Sequence, residues 1–240
     1  MQTVSELYRT IHAGLHYSEI RVLINGVVYG EDKLKSLKTR NGILEETMAV
    51  GNCIAGEIDL ELLAPTVDIP KMASIQPQFR IISVNDPTQK SEWLPKGMYW
   101  LDMRETSQDR VKVMKIHGYD AMLKAEQEFP SMSGTFPKTA SAVVAAIATA
   151  MGVTQDSRNA ALMTPTYYVQ LPSNYTCREV LGYIATMYCG NWVMADDGKL
   201  RLITLDSLPK ETNLLLADPD DYLAFADGTR ILISPDCSCS

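Results

Sequence analysis

The chain has 240 residues, of which 46% are apolar and 21% charged, and its 22 Lys and Arg against 29 Asp and Glu leave a net charge of −7. These proportions belong to a globular chain with an ordinary core and exclude disordered, collagen-like and coiled-coil proteins. An acidic balance also argues against a chain that wraps nucleic acid, because holding phosphates takes clustered cations.

Along the chain, residues 3–13 predict a short amphipathic helix, with Val4, Leu7, Tyr8 and Ile11 at helical spacing. A strand follows over Glu19–Ile24, where Ile20, Val22 and Ile24 alternate with Glu19, Arg21 and Leu23. Asn25-Gly26 then precedes Val27-Val-Tyr29, a hairpin signal, since a type I′ turn needs positive φ at both central residues. Asn41-Gly42 marks another turn. Glu57-Ile-Asp-Leu-Glu-Leu62 is the cleanest strand: period two puts Ile58, Leu60 and Leu62 on a buried face and Glu57, Asp59 and Glu61 on a wet one. Pro65 and Pro70 break it. Further strands are expected over Phe79–Val84, Met98–Arg104 and Val111–Ile116, separated by the Pro87 loop and the polar turn Glu105–Asp109. About six short strands spaced by turns suggest a small antiparallel barrel or sandwich.

The period then lengthens. Asp120 is placed to N-cap a helix reaching Phe129. Thr139–Met151 carries Val143, Val144, Ile147 and Met151 on one stripe, with Gly152 as its stop. Thr176-Cys-Arg-Glu179 has capping-box spacing and opens a helix through Tyr188, ended by Gly190. Trp192–Ala195, Asp196-Asp-Gly198 and Lys199–Ile203 read as a hairpin, and two short strands are expected within 211–233, around turns at Asp218-Pro219 and Asp227-Gly228. Strands, a helical block, then strands predict an α+β fold. The expected divisions are 1–118 for the N-terminal helix and β-barrel, 119–190 for a small helical piece, and 191–240 for returning hairpins. Trp100 and Trp192 are expected in the core, and Trp93 in a loop or at an interface.

Little in the chain announces chemistry. His12 and His16 stand four apart, but no Glu or Cys completes a metal set, so two surface histidines is the simpler reading. His117 reads as a hydrogen-bonded structural residue. A nucleophile needs a positioned base, and only Cys53 with His117 could supply one, without any local signature. Glu57, Asp59 and Glu61 could serve acid–base work, yet neighbouring same-face carboxylates of one strand more simply make a solvated face. Asp218–Tyr222 lacks the Gly and Glu of a calcium loop. Phosphate-loop, dinucleotide, nucleophile-elbow and zinc-protease motifs are missing, so no cofactor and no metal is expected. Cys53, Cys177, Cys189, Cys237 and Cys239 form an odd, scattered set and read as reduced thiols. The longest apolar stretch, Ala142–Val153, is interrupted by Thr149 and Gly152 and falls short of the ~20 residues of a membrane span. Met1-Gln-Thr-Val-Ser-Glu6 lacks the pattern of a signal peptide.

Several phrases, taken in order, resemble a known family: Gly51-Asn-Cys-Ile-Ala-Gly-Glu-Ile-Asp-Leu60, Glu92-Trp-Leu-Pro-Lys-Gly-Met-Tyr-Trp-Leu-Asp102, Ile116-His-Gly-Tyr-Asp-Ala-Met-Leu-Lys-Ala-Glu126, Arg178-Glu-Val-Leu-Gly-Tyr-Ile-Ala185, and Gly190-Asn-Trp-Val193 through Gly198-Lys-Leu-Arg-Leu202. They resemble the N-terminal region of phage and prophage tail-tip proteins of Gram-positive bacteria, the baseplate hubs or tail-associated lysins. The resemblance runs from about residue 17 to 233. It implies tail-tube-like β-barrels assembled as a homotrimeric ring that closes the tube. It also implies partners: the distal tail ring protein, the tape measure protein and other baseplate proteins. The expected location is the virion tail tip, reached from the host cytoplasm during assembly. Neither specific nucleic-acid binding nor stable membrane insertion is implied, although DNA would pass through the lumen. A lumen-facing Glu57, Asp59 and Glu61 would repel it. The family often carries a C-terminal cell-wall hydrolase, which a chain ending at 240 is expected to lack. The alternatives are the hub of a contractile injection device or tailocin, and a cell-wall hydrolase using Cys53 and His117.

Overall fold

In the computed structural model, which describes residues 4–43, 49–63, 69–107, 112–164 and 166–204, an antiparallel sheet and a helical layer each surround a separate apolar core. The strands expected within 211–233, Asp218–Tyr222, Cys237 and Cys239 lie outside the described residues.

The first element is set by a cap. Ser5 Oγ accepts the Tyr8 N–H at 3.0 Å and starts α1 (Glu6–His12). Then come β1 (His16–Ile24) and β2 (Val27–Gly30), joined at Asn25 and Gly26 with φ of 50° and 82°, as the hairpin signal requires. A 3₁₀ turn over Glu31–Lys33 leads to β3 (Leu34–Arg40). The remaining sheet strands are β4 (Glu57–Leu63), β5 (Ser74–Ser83), β6 (Leu94–Pro95), β7 (Tyr99–Thr106) and β8 (Val113–Asp120). The order is β2-β1-β5-β7-β8-β4-β3, with β6 also paired to β5, eight strands in all. Tyr29 from one end of this order and Leu34 and Leu37 from the other pack into the same cluster as Ile75 and Tyr99 of the middle strands. The sheet therefore curls on itself around one core.

Two strands exceed expectation. β3 carries Leu34 and Leu37 three apart, an odd spacing for a strand. A bulge between Leu34 and Ser36 absorbs the extra residue, so Leu34 opposes Leu62 and Leu37 opposes Leu60 on the inner face. β5 begins five residues before Phe79 and runs through Pro77, which opposes Val22. β7 pairs with β5 only at Ser74 and Ile75, so Pro77 removes no donor from that ladder. Ile20, which alternates in line with Val22 and Ile24, is 38% exposed, whereas Val22 and Ile24 are buried.

The helical layer contains α2 (Ala140–Met151), α3 (Asn159–Leu162) and α4 (Cys177–Met187), the two-residue strands β9 (Lys138–Thr139) and β10 (Tyr168–Val169), and the hairpin β11 (Gly190–Met194) with β12 (Leu200–Thr204). Its core joins Val144, Ile147, Leu181, Ile184, Trp192 and Leu202. Trp192 is fully buried, and its indole N–H donates to Leu181 O at 2.9 Å. Trp100 is only half-buried on the outer side of the sheet, against this second core. α2 is capped by Thr139 and stopped by left-handed Gly152, and α4 opens with a complete Thr176–Glu179 capping box, both as expected.

Two helical expectations are corrected. The helix expected from Asp120 to Phe129 is a 3₁₀ helix over Ala121–Glu126 only, although Asp120 does cap it. Beyond it the backbone turns extended, because the Phe129 N–H donates to Tyr175 O and the Cys177 N–H to Gln127 O, at 2.9 Å each. Tertiary hydrogen bonds replace the helical ones. The reversal after α4 falls on Cys189, at φ 50°, rather than on Gly190. Gly190 instead begins β11, where a Cβ would lie 2.5 Å from Ile203 O. No helix among the described residues is long and apolar enough to cross a membrane.

Candidate functional site

β4 presents the acidic stripe as its period dictates. Ile58, Leu60 and Leu62 are buried, while Asp59 is exposed and Glu57 and Glu61 are half-buried. The strands on either side decide what the stripe can do. β3 brings Lys35 Nζ to 2.8 Å from Glu61 and Arg40 to 3.6 Å from Glu57. β8 brings His117 Nδ1 to 2.8 Å from Asp59 Oδ1. The Lys35 ammonium bonded to Glu61 holds that carboxyl below its ordinary range, assisted by Lys115 and Lys38. Glu57 and Glu61 are thus charge-paired across strands, and Asp59 is hydrogen-bonded to His117. Asp59 and Glu61 border a depression of about 310 Å³ that also takes in Ser36, Lys115 and Met103. Exposed pairs of this kind hold strand register more than they add stability.

The residues considered for catalysis are not brought together. His117 lies within β8, edge-on to Tyr119 at 4.8 Å, and among the described residues Asp59 is its hydrogen-bond partner. Cys53 is 5% exposed in the core of the helical layer, bridged to Trp192. Burial pushes its thiol up to about 12, the reverse of what a nucleophilic cysteine needs. His12 is exposed at the end of α1, whereas His16 already belongs to β1, so the two do not share a helix face. Their rings stand 5.2 Å apart, and His16 Nδ1 lies 2.9 Å from Gly14 O. Among the described residues, no group of three or more His, Cys, Asp or Glu could hold a metal ion.

Two features have no sequence signal. Two guanidinium groups lie over the Trp93 ring, Arg21 at 4.0 Å and Arg80 at 4.4 Å from its centroid, with Glu19 closing an ion pair to Arg80 at 2.6 Å. The partners are far apart in the chain, so only strand pairing unites them. The second is a groove of about 720 Å³ over the outer face of the β11–β12 hairpin. Val193, opposite Arg201, and Ile203 belong to this face, Asn41–Ile43 follow β3 along one margin, and Asp156–Arg158 precede α3 along another. Asp156, 5% exposed, is bound by Arg158, which depresses its carboxyl to about 2.

No protein-family model matches the sequence, and no curated protein matches it. Among solved structures, the fold is similar to that of a 43 kDa tail protein of prophage MuSo2 from Shewanella oneidensis, with a TM-score of 0.54 and 16% identity over 78% of this chain and 53% of that one. It is also similar to a tail protein from Neisseria meningitidis MC58, with a TM-score of 0.52 and 11% identity over 77% of this chain and 50% of that one. The likeness is one of fold, and the chain spans about half the length of these proteins.

Proposed function

We propose that the chain is a structural component of a phage or prophage tail tip. The carrying observation is its fold likeness, over 77–78% of its length, to tail proteins of two bacteria. The ordered phrases from Gly51 to Leu202 refine the reading to the hub, the ring that closes the tail tube. The hub links the tape measure protein, the distal tail ring protein and the receptor-binding parts. In this reading three copies make the ring and the chain carries no catalysis of its own. Cys53 serves the core, and His117 serves the sheet through Asp59.

The sheet supplies edges for such an assembly. β2 and β3 end the strand order, and Val27 and Val28 on β2 are 43% and 51% exposed. An unpaired edge with apolar side chains is a liability in a lone protein and an asset in a ring. The β4 face borders the lumen in this reading. Its acids would face passing phosphates with charge of the same sign.

Light scattering across a concentration series tests the ring. The expected mass is three times 26.6 kDa. A chain that stays monomeric throughout, and that antibody labelling does not find at the tips of purified tails, overturns the reading.

A further inference from the structure

We propose that the free edge of β1 over His16–Ile20 docks an extended peptide, which adds to the sheet as a strand and places aliphatic side chains in the hollow beside it. β1 pairs with β5 along its whole length, but with β2 only over Arg21–Ile24. Among the described residues, no strand pairs with His16–Ile20 on that side. The pairing with β5 fixes where the remaining polar groups point. Ser18 stands opposite Ile81, whose N–H donates to Ser91 Oγ at 3.0 Å and whose carbonyl accepts the Ser91 N–H at 2.9 Å, both on the far side of β5. Ser18 and Ile81 are therefore a non-hydrogen-bonded pair, and the exposed Ser18 turns its N–H and C=O away from β5. His16 follows the same alternation, since the Ser83 N–H opposite it donates to Gln89 O at 3.1 Å. At Ile20 the outward N–H donates to Glu31 Oε1 at 2.8 Å, so a carboxylate stands where the carbonyl of an added strand would accept. An edge of this kind is a template for further pairing.

The surroundings select the occupant. A hollow of about 300 Å³ is lined by Ser18 and Ile20 of this edge, by Pro77 and Phe79 of β5 and by Leu37 of β3. Every second side chain of an added strand faces the same way. The edge and the hollow together therefore fit an extended segment with aliphatic residues at alternate positions, the backbone giving affinity and the hollow specificity. Lys96 also lines the hollow, 5.2 Å from the Phe79 ring and 3.5 Å from Asp196, so a neutral side chain meets no unbalanced charge there. Size argues for a short segment rather than a second folded copy. The edge is about 17 Å long, and that length with one small hollow falls short of the ~800 Å² per partner of a stable interface. The site is independent of the tail role proposed above, and its test does not depend on ring formation.

The test uses the full chain labelled with ¹⁵N and follows the Ser18 amide. The probes are the blocked peptide Thr-Leu-Thr-Leu-Thr, the same peptide N-methylated at every amide, and the isomer Leu-Leu-Thr-Thr-Thr, which breaks the alternation. The expected result is a saturable downfield shift and slowed hydrogen exchange of the Ser18 N–H with the first peptide, none with the N-methylated one, and weaker binding of the isomer. Glu31→Ala releases the Ile20 N–H to the peptide and should tighten binding about two- to tenfold. Ser18→Pro removes the outward donor from an edge, where proline is tolerated, and should abolish binding. Four outcomes overturn the proposal: no shift at millimolar peptide, an equal response to the N-methylated peptide, a Ser18 amide already protected in the free chain, or protection that grows with protein concentration and so comes from a second copy. The wild-type amide and Glu31→Ala decide the matter if Ser18→Pro does not fold.

Discussion

Asp120 shows how one residue joins the two layers. It is the last residue of β8 and only 6% exposed. Its Oδ2 accepts the Gly56 N–H and its Oδ1 the Met122 N–H, both at 2.8 Å. The first bond ties down the segment before β4, and the second caps the 3₁₀ helix of the helical layer. Burial raises its carboxyl to about 6, although both N–H groups and Arg178 favour the ionised form. A raised carboxyl stabilises the fold fully below the ordinary value near 3.8, and that contribution is lost as pH rises through about 6. Asp120→Ala strips two buried N–H groups of their acceptor and should cost about 1–3 kcal/mol. Denaturant unfolding at pH 5 and pH 7.5 checks both points: the wild type's advantage over Asp120→Ala should be larger at pH 5. A pH-independent difference would count against the buried, titrating carboxyl. The N-cap was legible in the sequence. The bond to Gly56 was not, because its donor lies 64 residues away.

At the scale of elements, α4 meets the segment before β4 through two glycines. A Cβ on Gly182 would lie 2.8 Å from Gly51 O, and one on Gly51 would lie 2.4 Å from Thr186 Oγ1. This contact lets Gly51 and Asn52 reach β11, where the Gly51 N–H donates to Gly190 O and Asn52 O accepts the Trp192 N–H. Gly182→Ala would favour an isolated helix by about 1 kcal/mol. Here the added methyl strikes backbone, and overpacking costs about 1–3 kcal/mol. Packing should win, so Gly182→Ala is expected to lower the melting temperature. Gly14→Ala, whose Cβ would find Ile11 O at a comfortable 3.7 Å, should not. Equal melting temperatures for the two would show that the α4 contact yields freely. Caps and alternation made α2, α4 and β4 readable. The bulged β3 was not, because its two leucines share a face only once Lys35 is looped out of register.

For the whole molecule, the decisive feature is that sheet and helical layer keep separate cores while the outer face of β4 carries matched charges. Reversing that face is the direct test of a lumen role. Glu57→Lys with Glu61→Lys would place lysines beside Arg40 and Lys35 and create an uncompensated basic patch. Phage carrying both changes should eject DNA less efficiently, because the new cations hold passing phosphates. Normal ejection by a stably folded double variant would remove β4 from the lumen. The acids themselves were legible as an outward stripe. Their partners were not, because Lys35, Arg40 and His117 belong to other strands.

The sequence by itself determined the α+β class, the Asn25-Gly26 hairpin, the two faces of β4, the caps of α2 and α4 and the β11–β12 hairpin. Each depends on interactions within a few residues, where periodicity and turn chemistry are written directly. Tertiary structure alone decided the curl of the sheet and its strand order, the 3₁₀ form of Ala121–Glu126, and the burial of Cys53 away from His117. It also decided the contact of Arg21 and Arg80 with Trp93 and the groove over the β11–β12 hairpin. These depend on contacts between residues far apart in the chain, whose partners no local pattern names.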